Sequence, residues 1–160
     1  MFCNCVLMAV ASVAIGFGRL TLATDPAAAA SVLALLVARD PQNVAALIDL
    51  GIAQDLPGYH ADAQRSYRLA LAIEPDRVAA KVNLGLSLAL SGDAQQALAI
   101  LRPLAQGPAA SPRMQQDLAV ALVLAGDSDE AAQVLRTDIP PPKVLAAVTG
   151  YRALLEDPAQ

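Results

Sequence analysis

Residues Leu47 to Pro75 read LIDLGIAQDLPGYHADAQRSYRLALAIEP, and the skeleton of this stretch returns twice downstream. Gly51, Gly85 and Ala119 are spaced 85−51=34 and 119−85=34. Ala63, Ala97 and Ala131 keep the same step, as do the large residues Tyr67, Leu101 and Leu135 and the turn glycines Gly58, Gly92 and Gly126. Self-similarity at such a period means one supersecondary unit repeated, each copy burying its apolar face against its neighbours. The small residues have a packing reason: Gly51 and Ala63 stand where two helices of a hairpin must approach closely.

The pattern resembles the tetratricopeptide repeat (TPR): Leu47-x2-Leu50-Gly51, then Ala63-x3-Tyr67, then Pro75, with Gln54 where an aromatic is usual. The fold expected is therefore an all-α, TPR helical-hairpin solenoid of about three full repeats, with a degenerate leading repeat and a C-terminal capping helix. The expected boundaries are 18–43 for the leading repeat, 44–77, 78–111 and 112–142 for the full ones, and 143–157 for the cap. A step of 34 back from Ala63, Tyr67 and Pro75 lands on Ala29, Leu33 and Pro41, which locates the leading repeat. Its second helix is predicted from about Pro26 to Arg39, with Asp25 as N-cap and Pro26 in the first position. Its first helix would be some part of Val10 to Ala23, poorly formed because Thr24 holds the place of a turn glycine.

The later hairpins are punctuated by Gly92-Asp93 and Gly126-Asp127, a left-handed stop followed by an aspartate cap. Gln96 and Glu130 follow those aspartates at capping-box spacing. Pro103 falls inside a second helix and is expected to kink it or end it early. Ser111-Pro112 opens the last hairpin as cap and first position. Pro140-Pro141-Pro142 reads as a stiff spacer, and beyond it Val144, Val148, Tyr151 and Leu155 share one helical face, which suits a cap over Lys143 to Glu156.

Composition narrows the function. The 160 residues suffice for one domain with a real core; hydrophobic residues make up 56%, aromatics only 3%, and there is no tryptophan, the profile of helices stacked through alanine and leucine. The net charge of −4 and 11 scattered Lys+Arg leave no basic stripe for phosphates, so nucleic acid is not an expected partner. The single histidine, His60, lies in the turn before the second helix of the first full hairpin, far from any cysteine, whereas a metal needs several converging ligands. No phosphate loop, nucleophile elbow or carboxylate pair in an apolar setting is present. Asp127, Asp129 and Glu130 are the densest acidic cluster, but they open a helix, where negative charge is favoured. No catalytic, cofactor or metal site is expected, and the chain is read as a non-enzyme.

The N-terminus has two readings. Val6 to Phe17 is an uncharged apolar run of signal-peptide length, so 1–17 is either a signal-like segment or the first helix of the leading repeat. Asn4 and Gly18-Arg19 cut it short of the roughly 20 residues a membrane span needs. Cys3 and Cys5 precede the run, whereas a lipoprotein's acylated cysteine follows it.

From about Asp40 to Leu155 the chain resembles the TadD type of TPR protein, a component of the bacterial tight-adherence (Flp, type IVb) pilus assembly system. The resemblance rests on residues 83–92 (NLGLSLALSG), 100–105 (ILRPLA), 116–126 (QDLAVALVLAG) and Asp138-Ile139-Pro140-Pro141. It implies a non-enzymatic assembly factor at the cell envelope, on the periplasmic side, usually a lipoprotein and associated with an outer-membrane secretin. A recognisable lipidation cysteine is missing from this sequence. The alternative is a generic cytosolic, chaperone-like TPR adaptor. Its carboxylate-clamp form is disfavoured because only Asn83 and Arg113 offer donors while Asp49 and Asp117 stand nearby.

The expected partner site is an apolar groove. With about 100° per residue, Leu50, Gly51 and Gln54 fall on the core face, while Ala45, Ile48, Ile52 and Leu56 point away. Later copies place Val82, Leu86 and Leu90, then Val120 and Leu124, at matching positions. Ile48, Ile52, Val82, Asn83, Leu86, Leu90, Arg113, Val120 and Leu124 are the candidate groove residues, suited to an amphipathic helix or extended segment of a protein partner. The competing expectation is that neighbouring helices or the chain's own terminal segment cover this stripe.

Overall fold

The computed structural model describes residues 24–136 and Val148. Within them lie seven helices and no strand: α1 (Pro26–Arg39), α2 (Val44–Asp55), α3 (His60–Ile73), α4 (Val78–Leu90), α5 (Ala94–Gln106), α6 (Pro112–Leu124) and α7 (Ser128–Leu135). The chain divides into two compact units, residues 1–83 and 84–160.

In the first unit, α1 begins as its sequence dictates. The Asp25 carboxylate accepts from the Ala28 backbone N–H at 2.9 Å, and Pro26 occupies the first turn, where its missing N–H costs nothing. Asn43 caps α2 in the same manner, accepting from the Ala46 N–H at 3.1 Å. Between α1 and α2, Ala29, Leu33, Leu50 and Ala53 form a buried cluster, with Ala30 and Val37 against it. Complete burial of a leucine such as Leu33 contributes about 2 kcal/mol. On its other side α2 packs against α3, where the Tyr67 ring, 1% exposed, lies on the bare backbone of Gly51.

The second unit repeats this construction. Leu101 of α5, 1% exposed, lies against Gly85, as Tyr67 lies against Gly51. α6 packs between α5 and α7, with Leu118, Ala119 and Leu122 fully buried. Ser111 caps α6 through the Met114 N–H at 3.3 Å, and Asp127 caps α7 through the Glu130 N–H at 3.0 Å. Asp93 caps α5 through the Gln96 N–H at 3.2 Å, and the Gln96 side-chain amide donates back to the Asp93 carboxylate.

All three hairpins close by one device. Gly58, Gly92 and Gly126 take φ of 90°, 91° and 86°, and the residue after each donates to a carbonyl five positions back. Asp93 N–H to Leu88 C=O and Asp127 N–H to Leu122 C=O both measure 2.8 Å, the Schellman geometry that satisfies carbonyls a helix end leaves open. Glycine is needed there because a side chain strains that φ.

Two expectations change. Pro103 does not end its helix, since α5 continues to Gln106; Pro103 and Ala99 both lie on the exposed side, where water can serve the carbonyl the proline leaves unbonded. His60 is the first residue of α3 rather than part of the turn before it. Of the expected cap over 143–157, Val148 is described, helical and 7% exposed; the rest of that segment and residues 1–17 lie outside the described residues. No helix among the described residues is long and apolar enough to cross a membrane.

Candidate functional site

The first helix of each hairpin carries the candidate groove residues. In the first unit, Ile48 is 6% exposed and therefore has little side chain to offer a partner. Ile52, Val82 and Asn83 are half-buried, and Leu56 at the end of α2 is 58% exposed. In the second unit Leu86, Val120 and Leu124 are half-buried, Leu90 is 50% exposed and Arg113 is exposed. An apolar side chain that the fold leaves half open is already partly desolvated, so covering it releases water at little ordering cost.

The polar groups beside these residues also keep the repeat step. Asp49, Asn83 and Asp117 follow at 83−49=34 and 117−83=34, a carboxylate, an amide and a carboxylate at one position of α2, α4 and α6. Asp49 is buried and Asp117 half-buried. Burial raises the Asp117 carboxyl above the ordinary aspartate range, and the positive charge of Arg113, one turn earlier, counters this only in part.

A second polar cluster closes the α2–α3 hairpin, and sequence reasoning missed it. The Tyr67 hydroxyl donates to Asp55 Oδ2 at 2.9 Å, while His60 Nδ1 lies 2.8 Å from Asp55 Oδ1. Beside them Ser66 Oγ donates to Gln54 Oε1 at 2.8 Å. Burial first, and then the Asp55 charge, push the Tyr67 hydroxyl far above the usual phenol range. Its proton is held at neutral pH, and the group acts as a tie between helices. Asp55 and Tyr67 are 12 residues apart, so no local motif announces the pair.

Tyr59 was also legible and overlooked. It occupies the position of Asp93 and Asp127, since 93−59=34 and 127−93=34. It makes no side-chain capping bond to α3 and its ring is 64% exposed. Among the described residues, no three His, Cys, Asp or Glu side chains converge as a metal site would require.

A crystal structure of the MamA protein, itself a TPR-repeat protein, matches with a TM-score of 0.64 over 94% of this chain and 77% of that chain, at 18% identity. The fold is the tetratricopeptide repeat. No protein-family model and no curated protein sequence matches the chain. In TPR terms α2, α4 and α6 are first helices and α3, α5 and α7 their second helices, with α1 the second helix of the leading TPR. The half-open residues Ile52, Leu86 and Val120 then occupy one TPR position, 86−52=34 and 120−86=34.

Proposed function

We propose that this chain is a non-enzymatic protein–protein interaction scaffold that assists assembly of a tight-adherence (Flp, type IVb) pilus or secretion apparatus at the bacterial envelope. The observation that carries the scaffold reading is the recurrence of half-open apolar side chains at one TPR position of successive first helices, Ile52, Leu86 and Val120. Core packing explains buried apolar residues, whereas these retain surface for a partner's apolar face. The pilus reading rests on the TadD-like stretches, among them Leu101-Arg102-Pro103-Leu104 with its helix-interior proline. The corresponding partner is an outer-membrane secretin or another pilus-assembly component, met on the periplasmic side.

Purification of the tagged chain from its host in mild detergent, followed by mass spectrometry, tests both levels. The proposal expects pilus-assembly proteins to co-purify and to be lost with Leu86→Glu. An intact Met1 on a soluble cytosolic protein, with no pilus component bound, would overturn the envelope assignment.

A further inference from the structure

The course of the chain beyond α7 bears on the apolar stripe of the second unit, Leu86 and Leu90 of α4 with Val120 and Leu124 of α6, and Val148 constrains it. Val148 is helical and 7% exposed. It keeps the repeat step with Met114, Ala80 and Ala46, since 148−114=34, 114−80=34 and 80−46=34, and Ala80 and Ala46 are fully buried on the first helices α4 and α2. Residues around it keep the same register. Ala153 repeats the small slot of Gly51, Gly85 and Ala119, 153−119=34, and Pro142 repeats Pro108 of the loop between α5 and α6, 142−108=34. Leu155 repeats Ala53 three steps on, 155−53=102=3×34. In the first unit Ala53 shares a buried cluster with Ala29 and Leu33 of the preceding second helix, α1. The counterparts of those two on α7 are Ala131 and Leu135, both buried.

Two courses for this segment differ in what they do to the stripe. A lid seats its apolar side chains on Leu86 and Val120 and closes the groove. A further first helix seats Val148 and Leu155 on α7 and turns another residue toward the stripe. Leu154 stands six positions after Val148, as Leu86 stands after Ala80 and Ile52 after Ala46. Six residues turn about 600°, which is about 120° past the buried side. Ile52 and Leu86 are half-buried at that offset, and Leu154 continues the series Leu86, Val120 by the same step, 154−120=34.

Resting on the scaffold reading, we infer that residues 143–156 dock on α7 as the first helix of a further TPR, leave the apolar stripe open, and lengthen it with Leu154 as the rung after Leu86 and Val120. Val144, Val148, Tyr151 and Leu155 form the docked face. Arg152 takes the position of Leu50, Leu84 and Leu118; at the edge of that face its stem packs on α7 while its guanidinium reaches water. A partner segment long enough to cross Leu86 and Val120 thus gains a third apolar contact from the same chain.

The test is alkylation by iodoacetamide of single-cysteine variants of the full-length chain, made with Cys3→Ser and Cys5→Ser and followed by mass spectrometry under native conditions. The inference expects Leu154→Cys to react as fast as Leu86→Cys, and Val148→Cys about tenfold more slowly. Hydrogen exchange should show the 147–155 amides protected both in the parent and in Leu86→Glu. Fast reaction of Val148→Cys together with unprotected amides would show that the segment does not dock. Release of that protection by Leu86→Glu would show a lid over the stripe, and Leu154→Cys as slow as Val148→Cys would place Leu154 in the core; each of these results overturns the inference. None of the measurements needs a partner, so the inference can fail while co-purification lost with Leu86→Glu upholds the scaffold reading, and can hold while that reading fails.

Discussion

Gly51→Ala should destabilise the protein even though alanine is the better helix former, and the packing of Tyr67 sets the size of the effect. A Cβ at position 51 would lie 2.7 Å from Tyr67 Cζ and 2.8 Å from Cδ1, so the ring must retreat by about 1 Å to reach van der Waals separation. The ring cannot retreat freely: it is 1% exposed, and its hydroxyl is held by Asp55 at 2.9 Å. Overpacking costs about 1–3 kcal/mol, and bending a hydrogen bond to a carboxylate adds about 1 kcal/mol. Alanine returns about 1 kcal/mol in helix propensity. The net is about 2 kcal/mol, or about 4–8 °C in thermal midpoint for a chain of this length. Gly85→Ala meets Leu101 Cγ at 2.7 Å and Cδ2 at 2.9 Å, but that side chain has no polar tether, so its net cost should be smaller, about 1 kcal/mol. Urea and thermal unfolding followed by circular dichroism measure both, and Tyr67→Phe should shrink the Gly51→Ala effect by releasing the ring. A Gly51→Ala protein as stable as its parent, or a Gly85→Ala protein damaged more severely, would refute this account of the hairpin.

Asp117→Asn should stabilise the fold at neutral pH. A folded carboxyl pKa raised above its unfolded value contributes stability that is present below the ordinary aspartate range and lost as pH rises through the folded value, so the gain should appear at pH 7 and vanish at pH 3 in paired urea titrations. Tyr59→Asp should install on α3 the cap that Asp93 and Asp127 give α5 and α7, raising stability by about 0.5–1 kcal/mol in the same assay. Asp127→Ala should cost about 1 kcal/mol, because it removes the 3.0 Å bond to the Glu130 N–H.

Much of this architecture was legible because it is written in local chemistry. Asp25 and Pro26 at the start of α1, and Gly92-Asp93 and Gly126-Asp127 between later helices, work through neighbours no more than five positions away, and each was found as read. Pro103 does not end α5 early because propensity says what a proline does to an isolated helix, not which side of α5 faces solvent. Ile48 shows a different limit. A helical wheel assigns faces relative to one neighbour, but α2 packs against both α1 and α3, and a residue opposite one interface can be buried in the other. The Asp55–Tyr67–His60 cluster was illegible because it is assembled across a turn, whereas Tyr59 needed only its alignment with Asp93 and Asp127.

The central claim, that half-open apolar residues on the first helices form the partner-binding surface, is tested most directly by Leu86→Glu. Capture of the host partner and unfolding of the same purified variant are measured side by side. Leu86 is half-buried on α4, so a glutamate can extend its carboxylate to water, and the account predicts capture abolished with helicity and melting nearly unchanged. Loss of the fold would show that Leu86 belongs to the core, and intact capture by an intact fold would place the partner elsewhere.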